Sequence, residues 1–170
     1  DSCRMNDFIT DLLQTYRRRG ILVDTNILLV YFVGLQDPKI IPRFKRTCTF
    51  AIEDFSTIVA LLEFFEVRVT TSHILTEISN FIGQLPEKTA SDCFDIFSKA
   101  LDVLDEHQLP AQKIAANNPI FRKFGLTDTG IALLAKDKYL VLTDDLRVSH
   151  YLANTGIDVL NFNHIRELNW

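Results

Sequence analysis

The sequence feature that most constrains the fold lies in residues 20–31, where a short apolar run is interrupted by polar residues and then resumes. Residues 21–23 are aliphatic, and a polar triplet that begins with Asp24 separates them from a second apolar run. This pattern is typical of a buried parallel strand that leads through a turn into a helix. Because ligands of open α/β sheets bind beyond the carboxyl ends of the strands, we expect Asp24 to lie at a functional edge.

Strands and helices alternate along the rest of the chain. Strands are predicted at 21–25, 66–70, 139–143 and 157–162, and helices at 7–19, 27–34, 54–65, 73–84 and 88–107. Two more helices are expected to begin near Asp128 and Leu146. Strands that alternate with helices form a parallel sheet with helices on both of its faces. The sequence therefore predicts an α/β fold, a three-layer α/β/α sandwich with a central parallel sheet.

Length and composition indicate a single domain over residues 1–170, with a helix within residues 1–19 packed on it. Three cysteines, an odd number without the C-x-x-C spacing of zinc or redox sites, indicate reduced thiols. No apolar run reaches the roughly 18 to 20 residues that a membrane-spanning helix needs, and no signal-peptide pattern opens the chain. We therefore expect a cytoplasmic protein without a membrane partner.

The charge balance limits the kind of nucleic-acid contact that the chain can make. A net charge of -4 and a pI near 5.5 do not favour a general polyanion binder. Positive charge is concentrated in Arg17-Arg18-Arg19, Arg43-Phe44-Lys45-Arg46 and Arg122-Lys123. Each patch fits a local phosphate contact or, equally, a solvated helix end or loop.

Further acidic residues follow a predicted strand or lie near the start of a helix. Glu77 falls at the border of the apolar face of helix 73–84, so its carboxylate can lean inward or remain an ordinary exposed side chain. Asp128 lies in the first turn of its helix, where it either serves a site or complements the helix dipole. Asp144 and Asp145 follow a buried strand; one carboxylate suffices as an N-cap, and two repel each other unless a cation lies near.

A parallel sheet would gather these acids along one rim. The set is Asp24, Glu77, Asp128 and either Asp144 or Asp145. Four carboxylates without nearby His or Cys ligands suit a hard cation, Mg²⁺ or Mn²⁺. One or two such ions lower the pKa of a bound water and stabilise the charge that develops on a phosphodiester. The chemistry that this set favours is phosphoryl hydrolysis.

Four motifs that contain these acids occur between residues 20 and 162. They are Ile-Leu-Val-Asp24-Thr-Asn26-Ile-Leu-Leu, Thr-Ser-His-Ile-Leu-Thr-Glu77-Ile, Gly-Leu-Thr-Asp128-Thr-Gly-Ile-Ala and Val-Leu-Thr143-Asp-Asp145. Together they resemble the four-acid signature of the PIN-domain nucleases. That signature has an Asp after the first strand, a Glu on a helix, an Asp that opens a later helix, and a final Thr-x-Asp.

The resemblance implies a metal-dependent endoribonuclease that cuts single-stranded RNA and leaves a 5′-phosphate and a 3′-hydroxyl. The residues that it implies as both catalytic and metal-binding are Asp24, Glu77, Asp128 and Asp145. The implied cofactor is Mg²⁺ or Mn²⁺, and Glu77 would bind the ion or orient its water. Asn26 and Thr143 would steady the acids.

Two features depart from the family pattern. The 53 positions from Asp24 to Glu77 exceed the spacing in the compact toxin members, which predicts an insertion at about 36–55 with the form of a helical hairpin. This spacing counts against a toxin of a toxin-antitoxin pair, which stays one option beside a processing or defence nuclease. Asp144 competes with Asp145 for the fourth position, and side-chain alternation from Thr143 favours Asp145.

RNA is the expected partner, and we expect its phosphates to be held by Arg147 and residues 43–46. Members of the resembled family commonly dimerise. Helices 7–19 and 88–107 could each form a surface for a homodimer or for an inhibitory or regulatory protein, although core packing explains their apolar stripes just as well.

Two other classes of function fit parts of the pattern. A PIN-like module that no longer cleaves would bind RNA or assemble with other proteins, but it has no need of mutually repelling carboxylates. A phosphoacceptor receiver or phosphatase has a similar topology, yet Asp144-Asp145 come late and Asp24-Thr25-Asn26 lacks a second Asp. A metal-dependent nuclease is therefore the function that the sequence favours.

Overall fold

The computed structural model describes the backbone of residues 2–117 and 119–167 and the side chains of residues 6–117 and 119–167. The strands are β1 (Ile21–Val23), β2 (Arg68–Thr71), β3 (Asp105–His107), β4 (Leu140–Thr143) and β5 (Val159–Asn161). The helices are α1 (Ser2–Tyr16), α2 (Thr25–Gln36), α3 (Ile52–Phe64), α4 (Ser72–Ile82), α5 (Glu87–Ala100), α6 (Ala111–Ala115), α7 (Ile120–Ala135), α8 (Leu146–Asn154) and α9 (Phe162–Glu167).

The five strands form one sheet in the order β3-β2-β1-β4-β5, and every pair is parallel. Helices flank this sheet, which confirms the predicted three-layer α/β/α sandwich. From β1 the chain proceeds outward through β2 to β3 and then crosses back to place β4 on the other side of β1. The switch point of the topology therefore lies between β1 and β4, where open α/β sheets form their ligand crevice.

The centre of the sheet is apolar on both faces. Every residue of β1 and β4 is buried. Helix α2 is apolar around most of its circumference because it packs against α3, α4 and α5. Helix α1 buries Ile9, Leu12, Leu13 and Tyr16, whereas Phe8, placed by periodicity on the same stripe, is 61% exposed. The apolar stripe of α1 therefore faces the core except at its edge, where Phe8 lies.

The outer strand β3 was not predicted, because it falls within the expected helix 88–107. Helix α5 ends at Ala100, a 3-10 turn covers Leu101–Val103, and the chain then pairs with β2 from Asp105. Residues 105–107 are Asp-Glu-His, and none of them is apolar. A charged edge strand has no alternating apolar pattern, so only backbone pairing with β2 reveals it.

The prediction of a helical hairpin at 36–55 was wrong. The segment contains a 3-10 turn, Pro38–Ile40, followed by irregular turns until α3 begins at Ile52. Pro38 and Pro42 lack the backbone N–H that a helix interior needs, which disfavours a long helix here. Irregular backbone is tolerated because tertiary contacts hold it, among them a hydrogen bond of 2.8 Å from the Thr47 hydroxyl to the Ile41 carbonyl.

Arg166 of α9 ties this segment to the end of the chain. Its guanidinium donates to both carboxylate oxygens of Asp54 (3.0 and 2.5 Å) and to the Thr49 carbonyl (2.9 Å). It also lies over the rings of Phe50 and Phe162, 4.7 and 5.4 Å from their centroids. Two hydrogen bonds between a guanidinium and a carboxylate fix the relative orientation of the two groups and pair their charges. They therefore hold α9 against the start of α3.

Two cysteine side chains lie in the described part of the chain. Cys48 is exposed and Cys93 is buried, and both are free thiols, as expected; the side chain of Cys3 lies outside the described residues. Among the helices of residues 2–117 and 119–167, none combines the length and the apolar character that crossing a membrane requires.

The contact of Gly34 with Phe55 provides a test of the packing between α2 and α3. A Cβ atom at Gly34 would overlap the Phe55 ring, so the whole ring would have to move. We expect Gly34→Ala to lower the free energy of unfolding by about 1 to 3 kcal/mol, because overpacking outweighs the gain in helix propensity. Urea unfolding measures the change.

Gly83→Ala is the matched control for this substitution. Gly83 has a right-handed conformation, and the nearest contact of an added Cβ atom is 3.6 Å. Its effect should stay within about 0.5 kcal/mol. Equal stabilities of the two variants would contradict the proposed close packing of Phe55 on α2.

Candidate metal centre

A pocket of about 690 Å³ opens at the carboxyl edge of the sheet, beside the switch point. Its lining includes the four acids predicted from the sequence, Asp24, Glu77, Asp128 and Asp145. They come from four different places in the chain: the end of β1, helix α4, helix α7 and the end of β4. No lysine or arginine is among the described residues that line this pocket, which we call the acidic pocket.

Asp24 is held where β1 ends. Its backbone N–H donates to the Leu142 carbonyl of β4 (2.9 Å), and its carboxylate accepts from the Thr25 N–H (2.7 Å) and the Thr143 hydroxyl (2.6 Å). The residue is only 7% exposed. Burial raises the pKa of Asp24 to about 6 although these hydrogen bonds oppose the rise, and the charges of Asp144 and Glu77 add to it. The carboxylate is therefore well oriented, but no lysine or arginine of the described pocket lining balances its charge.

Glu77 is fixed by two threonine hydroxyls. Thr25 donates to Oε2 (2.8 Å) and Thr127 donates to Oε1 (2.7 Å). Each threonine is the chain neighbour of another pocket acid, Asp24 or Asp128. The Thr127 side chain therefore bridges α7 to α4. The inward orientation of Glu77 is thus set by hydrogen bonds between elements.

Asp128 lies just after a break in helix α7. Gly125 has φ 78° and ψ −168°, a conformation that favours glycine and that divides α7, so that a second helical segment begins before Asp128. Burial raises the pKa of Asp128 to about 7, and the charges of Asp24, Asp145 and Glu77 contribute further. Its carboxylate accepts no hydrogen bond from the described part of the chain. Its charge is therefore the least compensated in the pocket.

Asp145 combines a capping role with a place in the pocket. Its Oδ1 atom accepts from the N–H groups of Arg147 (2.7 Å) and Val148 (3.0 Å), which makes it the N-cap of α8. The side chain is exposed and lines the acidic pocket. The N-cap interpretation of the sequence is thus confirmed, and its Oδ2 atom makes no hydrogen bond to the described residues.

Asp144 faces a different set of partners. Its carboxylate accepts from the Asn26 amide (3.3 Å), and its carbonyl accepts from the Asn163 amide (3.0 Å). Burial raises the pKa of Asp144, although it is not among the residues that line the acidic pocket. These positions favour Asp145 over Asp144 as the fourth pocket acid. Asn26, expected to steady the acids, contacts Asp144, whereas Thr143 contacts Asp24.

Aromatic walls of the pocket were not predicted from the sequence. Phe81, Phe121 and Phe124 line it. The Arg46 guanidinium lies over the Phe81 ring, 4.6 Å from its centroid, and the Arg147 guanidinium lies 5.9 Å from the centroid of Phe124. Arg46 and Arg147, which are expected from the sequence to hold phosphates, therefore lie next to aromatic residues of the pocket without lining it. Phe81 and Phe124 follow the helical spacing of core residues, so no sequence signal separated them from the core.

His73 was expected to be a surface or cap-region histidine. It is half-buried, its Nε2 lies 3.0 Å from the Leu109 carbonyl, and the residue lines the acidic pocket. The short distance to a carbonyl indicates that Nε2 carries a proton and donates, so it is not free to bind a metal ion.

The donor set of the acidic pocket fits a hard divalent cation. Burial and mutual repulsion raise the pKa values of Asp24 and Asp128, and no lysine or arginine lines the described pocket to offset them. Carboxylate oxygens are the ligands that Mg²⁺ and Mn²⁺ prefer. In residues 6–117 and 119–167, however, no three His, Cys, Asp or Glu side chains already form a metal-binding group. The acids thus surround the pocket without converging on one point.

No protein-family model matches the chain, and no curated protein matches it in sequence. The functional conclusion therefore depends on the residues of the site.

The raised pKa of Asp128 predicts a pH-dependent stability. Its folded-state pKa of about 7 lies above the ordinary 3.8, so the charged carboxylate destabilises the fold as pH rises from about 4 to about 7. In metal-free protein at pH 8, Asp128→Asn should raise the free energy of unfolding by about 2 to 4 kcal/mol. The gain should largely disappear near pH 3, where the wild-type side chain is mostly protonated in both states. Urea unfolding in EDTA at both pH values measures it.

Asp11→Asn, at an exposed position of α1, is the control for the loss of one negative charge. A gain for Asp128→Asn that is the same at both pH values, or that Asp11→Asn reproduces, would contradict the explanation by burial and repulsion.

Proposed function

We propose that the chain is a PIN-like endoribonuclease that uses Mg²⁺ or Mn²⁺ to hydrolyse phosphodiester bonds of single-stranded RNA. The observation that carries the proposal is the acidic pocket, where four carboxylates from separate elements line one cavity at the switch point of a parallel sheet. The order of these acids along the chain is that of the PIN-domain signature.

The energetics of the pocket favour a cation-binding role over a structural one. Asp128 has no hydrogen-bond donor among the described residues, and burial, followed by the charges of three other acids, raises its pKa. Such an arrangement destabilises the fold in the absence of a cation. A bound Mg²⁺ or Mn²⁺ would supply a Lewis acid beside the phosphodiester and would make a water molecule more acidic.

The protein's own part in this chemistry is to present oxygens in fixed directions. Two donors hold the Asp24 carboxylate, and two threonine hydroxyls hold Glu77. We assign Asp24, Asp128 and Asp145 to cation binding and Glu77 to binding the cation or orienting the attacking water. Glu77 and Asp128 lie on helices, and Asp24 and Asp145 are the N-caps of α2 and α8, so regular structure positions the backbone that carries all four side chains.

The walls of the pocket suit an unpaired strand. Phe81, Phe121 and Phe124 present aromatic surface beside the acids, and bases stack on aromatic side chains when they are not already stacked in a duplex. Arg46 and Arg147, at the outer sides of Phe81 and Phe124, are placed to attract phosphates. The choice of RNA over DNA comes from the resemblance to the PIN-domain nucleases.

One observation favours a second candidate, a PIN-like module that binds RNA or assembles with proteins without cleavage. Among the described side chains, no three potential ligands form a ready metal-binding group. A silent module should gain no thermal stability from Mn²⁺, whereas a site that binds the ion gains stability with concentration. Metal titration therefore separates the two candidates.

Cleavage of end-labelled unstructured RNA tests the proposed activity. Wild-type protein with Mn²⁺ or Mg²⁺ should produce cleavage, and EDTA should abolish it. Asp24→Asn should reduce the rate at least about 100-fold, because the loss of one ligand lowers both metal affinity and ligand orientation. Asp11→Asn on α1 should cleave like the wild type. Full activity of folded Asp24→Asn protein would refute the proposal.

Thr143 provides a test that leaves the four acids in place. Thr143→Val keeps the shape of the buried side chain but removes the hydrogen bonds that its hydroxyl donates to Asp24 Oδ2 (2.6 Å) and accepts from the Asp145 N–H (3.1 Å). We expect Mn²⁺ affinity, measured from the dependence of Tm on metal concentration, to fall about 10- to 100-fold. Cleavage should need correspondingly more metal.

Thr129→Val is the matched control for Thr143→Val. The Thr129 hydroxyl is buried beside Asp128 in sequence, and it finds no hydrogen-bond partner among the described residues. Its removal should leave the Mn²⁺ affinity unchanged and should not destabilise the fold. Equal losses in the two variants would indicate a general packing effect instead of an oriented Asp24.

A further inference from the structure

A second cavity, of about 340 Å³, lies next to the acidic pocket. We call it the basic cavity; it is lined by Lys123, Arg147, His150, Tyr151, Asn154 and Thr155. Its lining contains no carboxylate among the described residues and offers two permanent positive charges together with hydroxyl and amide groups. This chemistry is opposite to that of the acidic pocket.

Phe124 separates the two cavities. The residue lines the acidic pocket, and its ring contacts three residues of the basic cavity. The Lys123 ammonium is 5.1 Å from the ring centroid, the Arg147 guanidinium 5.9 Å, and the Tyr151 ring centroid 5.1 Å. The cavities are therefore neighbours across a single aromatic side chain.

The basic cavity is also linked to the acids by the backbone. Asp145, one of the pocket acids, is the N-cap of α8, and its Oδ1 atom accepts a hydrogen bond from the Arg147 N–H (2.7 Å). Arg147 therefore lies in the first turn of the same helix. Neither Lys123 nor Arg147 forms an ion pair with any described residue. Two cations beside the acidic pocket are thus left without an acidic partner, although the chain has a net charge of -4.

Electrostatics explain why such cations are needed. A pocket lined by four carboxylates repels a polyanion, and no lysine or arginine of its described lining offsets that repulsion. Among the protein's own side chains, the attraction for a nucleic-acid strand therefore has to come from cations just outside the pocket. The basic cavity holds such cations, on the other side of Phe124 from the acids.

We propose that the basic cavity binds a backbone phosphate of the RNA strand, next to the phosphodiester that enters the acidic pocket. Lys123 and Arg147 supply the charge, and Tyr151 and Asn154 supply hydrogen-bond donors. The inference rests on the proposed nuclease function for the identity of the strand. The placement of the cations is independent of catalysis.

The test compares two double variants with the same loss of charge. Lys123→Gln with Arg147→Gln removes the cations of the basic cavity, and Lys136→Gln with Lys138→Gln removes two exposed cations that precede β4, at the opposite edge of the sheet. Each pair is combined with Asp24→Asn so that the RNA stays intact. Binding of a fluorescein-labelled, unstructured RNA is measured over a series of salt concentrations.

The cavity variant should bind more weakly, and the slope of log K against log salt should become shallower by at least about 0.7. The control variant should keep the slope of its parent. Lys123→Arg with Arg147→Lys should restore binding, because the charges remain. Equal slopes in all variants, equal losses in both double variants, or no RNA binding by the parent would overturn the proposal.

Competition identifies the source of the phosphate. A strand-binding site should be competed by unlabelled RNA and only weakly by inorganic phosphate at matched phosphate concentration. Strong competition by inorganic phosphate, with no dependence on strand length, would replace the RNA proposal with a small-anion site.

Cleavage kinetics of variants that retain Asp24 keep this inference separate from the proposed function. In these active proteins the cavity substitutions should raise KM and leave kcat nearly unchanged. Cleavage with an unchanged KM would overturn the basic cavity and leave the nuclease standing. RNA binding that depends on Lys123 and Arg147, in a protein that no metal activates, would support the cavity and refute the nuclease.

Discussion

The parallel pairing of β4 with β1 is the constraint on which the candidate site depends. Ile21, Leu22 and Val23 pair with Leu140, Val141 and Leu142, so both strands end at the same level of the sheet. This register places the Thr143 hydroxyl 2.6 Å from the Asp24 carboxylate, although the residues are far apart in the chain. A shift of one residue would turn Thr143 to the other face of the sheet and would break this contact.

Around that contact, threonines organise an otherwise unfavourable group of charges. Thr25 and Thr127 donate to Glu77, and Thr143 donates to Asp24. Each of these threonines is also next to an aspartate in the sequence. Hydrogen bonds orient the carboxylates but do not neutralise them, and the pKa values of Asp24 and Asp128 rise to about 6 and about 7. Positive charge lies outside the pocket, at Arg46, Lys123 and Arg147, across aromatic walls. The threonines orient the acids without neutralising them, so the pocket keeps a negative charge that suits a cation. The arginines and the lysine lie outside it, where they suit an anion that approaches the pocket.

The sequence predicted the fold class and the central strands, and its four candidate acids all line one pocket. These predictions worked because buried parallel strands are continuous apolar runs, and their ends are marked by abrupt polar residues. The sequence-based prediction failed at β3 and at 36–55 because neither segment has a regular apolar pattern. An edge strand of Asp-Glu-His has no apolar periodicity, and the irregular segment is held by distant partners such as Arg166 on Asp54. Local sequence patterns do not predict contacts between residues more than 100 positions apart, such as Arg166 with Asp54.

The sequence by itself therefore determined which residues form the layers and which acids stand at the ends of strands or the starts of helices. Only the tertiary structure decided how those acids are held: that Glu77 is bridged by two threonines, that Asp145 rather than Asp144 lines the pocket, and that Phe124 separates an acidic from a basic cavity. Backbone propensity and apolar periodicity are local properties of the chain. Hydrogen-bond partners, burial and the resulting pKa shifts depend on which elements the sheet register and helix packing bring together.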